Sequence, residues 1–396
     1  MTRAVRWERA HGLPTLPALA RVANRRMQSS ERIHFPYMFY ARTEGLANAY
    51  CLSQSGMPMA DPSFLASAGG IDISPPLAHT LPEFEKKVAH LFGFPPERVI
   101  ATVGASAAMM FCAMRWFGRG ARVVTELPSY EPFRALPDFF GADVRVLARR
   151  HENDWTVEPD DVARALEGAE NGHVFLSNPH NPSGALLEKE RIVELARVAE
   201  RANGVLVVCE VYGEFLPNER RVHAAALAPN AVSIGSLTKA YGLGGLRAGW
   251  ILLGEGLRHQ VNHVRDMSFL GYVEPPSASL VGASVALDHL AKLLQPLRQV
   301  EAECRPIWEE WLRETDGIDC FLPEFGIIAF PKLDGIEDTI EFARFLSREY
   351  DVAVVAGEYF GQRGHIRVGC GVPRETLVEA LSRLGQGLEA WRAGTR

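Results

Sequence analysis

Lys239 stands just past the apolar run Ala231–Ser236, within Ser236-Leu-Thr-Lys-Ala-Tyr-Gly-Leu-Gly-Gly-Leu-Arg247. A primary amine so placed can form a Schiff base with a carbonyl compound. Ser236 and Arg247 offer a hydroxyl and a forked guanidinium to phosphate oxygens. Gly242, Gly244 and Gly245 allow backbone to pass close to a ligand. Together they suit a small anionic aldehyde, although the same segment taken alone also reads as a turn with a surface lysine.

Four more segments carry similar chemistry. Asn178-Pro-His-Asn181-Pro-Ser-Gly184 follows an apolar run, and its two Asn-Pro pairs force an extended, turned backbone that presents side-chain amides. Cys209-Glu-Val-Tyr212 closes the most apolar run of the chain. Gly104-Ala105-Ser106-Ala107-Ala108 joins an expected strand to an expected helix, whose free first amides can bind phosphate. Arg367, in His-Ile-Arg-Val-Gly, can clamp a carboxylate. Singly, these also read as a proline-rich loop, a strand end, an ordinary strand–helix turn and an edge-strand arginine.

The elements that must position these residues alternate. Arg98–Thr102, Ala121–Leu127, Asp143–Arg149, His173–Asn178, Gly204–Val211, Ala231–Ser236 and Ala248–Leu253 read as seven strands, several continuously apolar as strands covered on both faces are. Helical patterns lie between them at Ala105–Phe117, Tyr130–Phe140, Pro159–Gly168 and Glu188–Asn203. This predicts an α/β layered unit with a mostly parallel seven-stranded sheet. The last third predicts a smaller α+β unit: a long helical region Ala278–Glu314 broken near Pro296 and Pro306, strands Gly326–Phe330, Val352–Val355 and His365–Val368, and helices Ile336–Glu349 and Arg374–Arg392. A chain of 396 residues exceeds what one core usually fills. The expected division is an N-terminal arm over 1–45, a large cofactor-binding domain over 46–275, and a small domain over 276–396 that takes in part of the N-terminal segment.

Composition excludes some classes. Apolar residues make up 47% and charged residues 23%, with a net charge of −6, so no nucleic-acid partner is expected. No uninterrupted apolar stretch is long enough to cross a membrane. Six cysteines lie far apart without a Cys-x-x-Cys pair, which signals no metal site and suits reduced thiols in a cytoplasm. Residues 1–30 hold six arginines against the single acid Glu8, a pattern shared by transit peptides, but Trp7, Leu13, Leu16, Leu19 and Val22 favour a structural arm.

In their order along the chain, these segments resemble the fold-type I, class I/II aminotransferase family, the aspartate aminotransferase-like enzymes, over roughly residues 45–392. The resemblance implies pyridoxal 5'-phosphate as cofactor and a homodimer with active sites near the subunit interface. It implies transfer of an amino group between an α-amino acid and a 2-oxo acid. Lys239 is then the Schiff-base lysine and proton-shuttling base. Asn181 and Tyr212 donate to the pyridine 3-oxygen, and Tyr130 stacks on the ring. Ala105, Ser106, Ala107, Ser236 and Arg247 hold the phosphate. Arg367 holds the substrate carboxylate, with Asn181 and Gly56 (in Ser-Gly-Met-Pro58) beside it.

Two departures qualify that expectation. Cys209 stands where the family has an aspartate against the pyridine nitrogen, and Glu210, next along a strand, points to the opposite face. A neutral thiol is a poor partner for a pyridinium, so the ring should withdraw electrons less strongly. A lyase or a specialised amino-acid-modifying biosynthetic enzyme on the same fold is therefore the alternative. Ile73–Thr80, ahead of a helix expected to begin near Pro82, lacks the family's tyrosine and offers His79 instead. A cofactor-binding DNA regulator is disfavoured, because residues 1–45 are short and show no helix-turn-helix pattern. No second arginine is assignable to a distal substrate carboxylate.

Overall fold

The computed structural model describes residues 35–66, 70–72, 74–271 and 273–394. The Arg-rich segment 1–34, with Trp7, His11 and the leucine anchors, lies outside the described residues.

Strand β1 (Tyr50–Cys51) precedes the main sheet, which is built from β2 (Val99–Thr102), β3 (Arg122–Leu127), β4 (Asp143–Ala148), β5 (Gly172–Ser177), β6 (Leu206–Cys209), β7 (Ala231–Ser236) and β8 (Gly249–Leu253). Their spatial order is β2-β8-β7-β6-β5-β3-β4. Only the β2–β8 and β7–β8 ladders are antiparallel, so the seven predicted strands form the mostly parallel sheet expected. Continuous apolar runs arise because both faces are covered. Val123, Phe175, Val207 and Ile234 pack into one layer with Met109 and Phe111, while Val124, Leu176, Leu206 and Val208 pack into the other with Ile192 and Leu195.

The last third forms small sheets and helices. Strands β9 (Ile318–Asp319) and β11 (Lys332–Leu333) pair, as do β10 (Ile328–Ala329), β13 (Val355–Ala356) and β14 (Ile366–Gly369), and β1 runs parallel to β12 (Val352–Ala353). The expected strand Val352–Val355 is split at Val354, whose carbonyl accepts a hydrogen bond from Tyr40 Oη instead of joining a ladder. Helix Thr339–Glu349 begins later than Ile336 because Asp338 caps it by accepting from Glu341 N–H at 3.0 Å. The helical region 277–314 breaks near both prolines: Pro296 opens the short helix Gln295–Gln299, and a wide π-helical turn over Val300–Cys304 precedes Arg305–Glu314, where Pro306 lacks an amide donor. It also breaks at Asp288–His289, which the sequence did not foretell. The helix expected near Pro82 starts at Leu77 and carries Pro82 inside it, so His79 lies on its exposed first turn and not in a loop.

Phe175 sits at the middle of the sheet, wholly buried, with ring centroids 4.4 Å from Phe133 and 5.2 Å from Phe117. Phe175→Ala is expected to cost about 3–5 kcal/mol of stability in urea unfolding. A loss below about 1 kcal/mol would show that this layer is not packed as described.

Candidate active site

The C-terminal ends of the parallel strands meet at one edge of the sheet, where open α/β sheets bind ligands. Strand β5 ends at Ser177 and runs into Asn178–Gly184. Strand β6 ends at Cys209 and β7 at Ser236, and Ser177 pairs with Cys209 in the β5–β6 register. Beyond this edge opens a cavity of about 440 Å³. Lys239, Asn181, Cys209, Tyr212, Ser236, Arg247, Tyr130, Ala105 and Ser106 all line it. Three predicted site residues do not, and one of them, Arg367, lies behind the lining residues Asn181, Tyr37 and Ser53 that it bonds. Ala107 turns into the apolar layer behind the helix Gly104–Trp116. Gly56 lies against the backbone of Lys239, where an added Cβ would come within 3.2 Å of the Lys239 Cα. His79 does not line the cavity either.

The Lys239 amine donates to Ser55 Oγ at 2.8 Å and lies 5.8 Å from the centre of the Tyr212 ring. Burial pushes its pKa below the ordinary lysine range, and the nearby Arg367 charge adds to this, against the opposing effects of Tyr37 and Cys209. Ser55 was not singled out in the sequence. Its only signal there is its place beside Gly56.

Arg367 is buried in β14. Its Nη1 donates to Asn181 Oδ1 at 2.9 Å, and its Nη2 donates to Tyr37 Oη and to the Ser53 carbonyl, each at 2.8 Å. Its guanidinium lies 5.3 Å from the Tyr37 ring centre and 5.0 Å from that of Phe360. The Nε is buried with no hydrogen-bond partner among the described residues. Because Asn181 spends its carbonyl on Arg367, its amide N–H groups remain as donors. Tyr37 comes from the helix Pro36–Arg42, and its amide donates to Glu131 Oε1 at 2.8 Å. Tyr37, Met38 and Tyr40 of that helix line the cavity. Tyr130 Oη bonds Met38 Sδ at 3.0 Å.

At the far end the helix Gly104–Trp116 begins without a side-chain cap, leaving its first amides free. Gly104 has φ +71, and a Cβ there would approach Arg247 Nη2 to 3.0 Å. Arg247 is exposed to the cavity and Ser106 reaches the same space. One guanidinium, two hydroxyls and a helix N-terminus therefore converge at that end, a donor set suited to a phosphate dianion.

Between these ends lies Cys209. Burial pushes its thiol up to about 12, so it is uncharged at neutral pH. Glu210 turns away, as expected, and accepts from Ser233 Oγ at 2.7 Å, from Ala224 N–H at 2.8 Å and from His223.

Residues 59–384 match the family described as aminotransferase class I and II. The chain belongs to this family. It is 30% identical over 308 residues to capreomycidine synthase of Streptomyces vinaceus, spanning 76% of this chain and 77% of that protein. It is 28% identical over 295 residues to the arginine–pyruvate transaminase AruH of Pseudomonas aeruginosa, spanning 73% and 74%. Among solved structures, a PLP-dependent aminotransferase from Streptococcus suis superposes with a TM-score of 0.79 at 22% identity, covering 91% of this chain and 98% of that one. The PLP-dependent cyclase OrfR superposes with a TM-score of 0.77 at 24% identity, with the same coverage. Both share the fold.

Proteins of this family use pyridoxal 5'-phosphate. The residues present fit it. An amine biased toward its free base suits the aldehyde, and the cradle at Gly104, Ser106, Ser236 and Arg247 suits the phosphate. The sign of the Lys239 shift gives a test. An amine with a lowered pKa is neutral from that value upward, so covalent uptake of pyridoxal 5'-phosphate by apoprotein should rise with pH through a midpoint below ~10.4, the ordinary lysine value. A midpoint at or above that value in stopped-flow absorbance would contradict the burial described.

Proposed function

We propose that this class I and II aminotransferase family member acts at the α-carbon of an amino acid and passes its amino group to a 2-oxo acid. The observation that carries this is a cavity lined by Lys239, whose amine has a lowered pKa, and backed by Arg367, a buried guanidinium that bonds the lining residues Asn181, Tyr37 and Ser53 and keeps its Nε without a partner among the described residues. When bound, the cofactor supplies an aldehyde to capture an amine and a ring to take up the electron pair of a broken Cα bond.

The chain's own residues do the rest in this reading. Lys239 would hold the cofactor, and its amine would serve as the base that moves the α-proton. Arg367, fixed by Asn181, Tyr37 and Ser53, binds the α-carboxylate and thereby sets which Cα bond faces Lys239. Gly56 keeps backbone low enough beside Lys239 for that carboxylate to enter. Asn181 and Tyr212 would donate to the pyridine 3-oxygen, and Tyr130 would cover the ring face. Ser106, Ser236, Arg247 and the amides of Ala105 and Ala107 hold the phosphate. Tyr37, Met38 and Tyr40 close the entrance against water.

A second reading is favoured by Cys209 and by the likeness to capreomycidine synthase. A neutral thiol at the position of the family aspartate suits a lyase or an amino-acid-modifying biosynthetic enzyme. For assembly, the exposed Phe269 (59%) and Leu270 (68%) at the end of helix Val261–Gly271 support a homodimer. Six free cysteines support a reducing, cytoplasmic setting. The divisions near residues 45 and 275 are proposed as domain boundaries.

Incubating holoenzyme with a panel of amino acids and pyruvate or 2-oxoglutarate decides between the readings. A keto acid formed together with alanine or glutamate is expected. Primary amines lacking the α-carboxylate should react at least ~10-fold more slowly, the scale of one lost charged hydrogen bond. Ammonia, or a cyclised or eliminated product without an aminated acceptor, would support the second reading instead.

A further inference from the structure

Cys209 leaves its part of the cavity uncharged, yet a carboxylate lies close behind it. Glu126 is the one acidic residue in β3, and it is wholly buried. Its Oε1 accepts from Ser177 N–H at 2.8 Å and from Ser177 Oγ at 2.9 Å. Its Oε2 accepts from Arg149 Nε at 2.8 Å and lies 2.6 Å from Arg149 Nη2. The remaining Arg149 donors reach the carbonyls of Trp155 at 2.9 Å and Ser177 at 3.3 Å. Burial pushes the Glu126 carboxyl up and the Arg149 guanidinium down, and their mutual attraction opposes both shifts; the four donors aimed at the two carboxyl oxygens suit the carboxylate form. A buried pair of this kind contributes little net stability, because desolvation offsets the attraction. Its contact with Ser177 gives it another use.

Ser177 lines the same cavity as Cys209 and is its partner in the β5–β6 register, so the two side chains project to the same face of the sheet. A serine hydroxyl has one proton and two acceptor sites. The Ser177 proton goes to Glu126. One acceptor site faces Asn181 N–H at 3.3 Å. The other takes no donor among the described residues and is left for one in the cavity.

We propose that Ser177 Oγ accepts the pyridine N–H of the cofactor, and that Glu126, clamped by Arg149, is the positioning residue that keeps the Ser177 proton on the far side. The inference rests on the cofactor orientation under Proposed function, in which the ring nitrogen faces Cys209. A carboxylate behind the hydroxyl makes its oxygen a better acceptor than a neutral thiol, because linked hydrogen bonds polarise one another. No covalent bond changes: the proton stays on the ring nitrogen, and the charge of Glu126 is felt through one hydroxyl. The electron-withdrawing ring needed for transamination is then available without an aspartate at position 209.

The test is 15N NMR of holoenzyme loaded with ring-15N pyridoxal 5'-phosphate at neutral pH. Wild type and Cys209→Ala should both show a protonated ring nitrogen. Ser177→Ala, which leaves the Glu126–Arg149 pair intact, should shift the resonance toward the unprotonated position, and Glu126→Gln should shift it the same way. Should Glu126→Gln fail to fold, Ser177→Ala decides alone. An unprotonated nitrogen in wild type, or a resonance that moves with Cys209→Ala and not with Ser177→Ala, overturns the proposal while leaving the cofactor in place. Absence of any cofactor band in wild-type protein would instead overturn the reading on which the proposal rests.

Discussion

A lysine amine resists protonation where water is scarce or positive charge is close, and Lys239 is held under both conditions, burial being the larger. It sits past the end of β7 within a cavity walled by Tyr37, Tyr212 and Ser55, with the Arg367 charge near enough to lower its pKa further. The neighbouring arrangement answers to that constraint. Ser55 accepts the amine's hydrogen bond. Arg367 would itself be costly to bury, and Asn181, Tyr37 and the Ser53 carbonyl meet three of its donor directions. Tyr37 in turn is tied through its amide to Glu131, so the helix Pro36–Arg42 is fastened over the opening by the loop that carries Tyr130.

The sheet makes this convergence possible. Parallel strands deliver their C-terminal ends to one edge, and the in-register pairing of β5 with β6 sets Ser177 beside Cys209. The floor is therefore rigid backbone with both faces buried, while the walls come from residues distant in sequence. That division suits an enzyme of this family, in which the cofactor must be held still and the substrate must enter and leave.

Much of this could be read in the sequence. Strands covered on both faces wrote themselves as continuous apolar runs, and the motif segments announced the residues of the floor: Lys239, Asn181, Cys209, Tyr212, Ser236 and Arg247 all reach one cavity. What stayed hidden has a common cause. The partners of Arg367 come from residues 37, 53 and 181, and nothing local in the chain marks Ser53 or Ser55. Val354 looked like a strand interior because the sequence cannot show that Tyr40 takes its carbonyl. Glu126 did leave a trace, as a lone acid in an apolar strand, but the pairing with Arg149 is visible only once β3 and β4 lie side by side. The start of the helix at Leu77 was masked by Pro82, which usually marks a first turn and here lies inside the helix.

Everything from the pH behaviour of the amine to the use of Arg367 assumes that the cofactor is bonded to Lys239 and to no other lysine. Borohydride reduction of the holoenzyme followed by peptide mapping tests this most directly. The account predicts a single pyridoxyl-phosphate adduct on the peptide containing Lys239. An adduct on Lys86, Lys87 or any other lysine, with Lys239 unmodified, would contradict it.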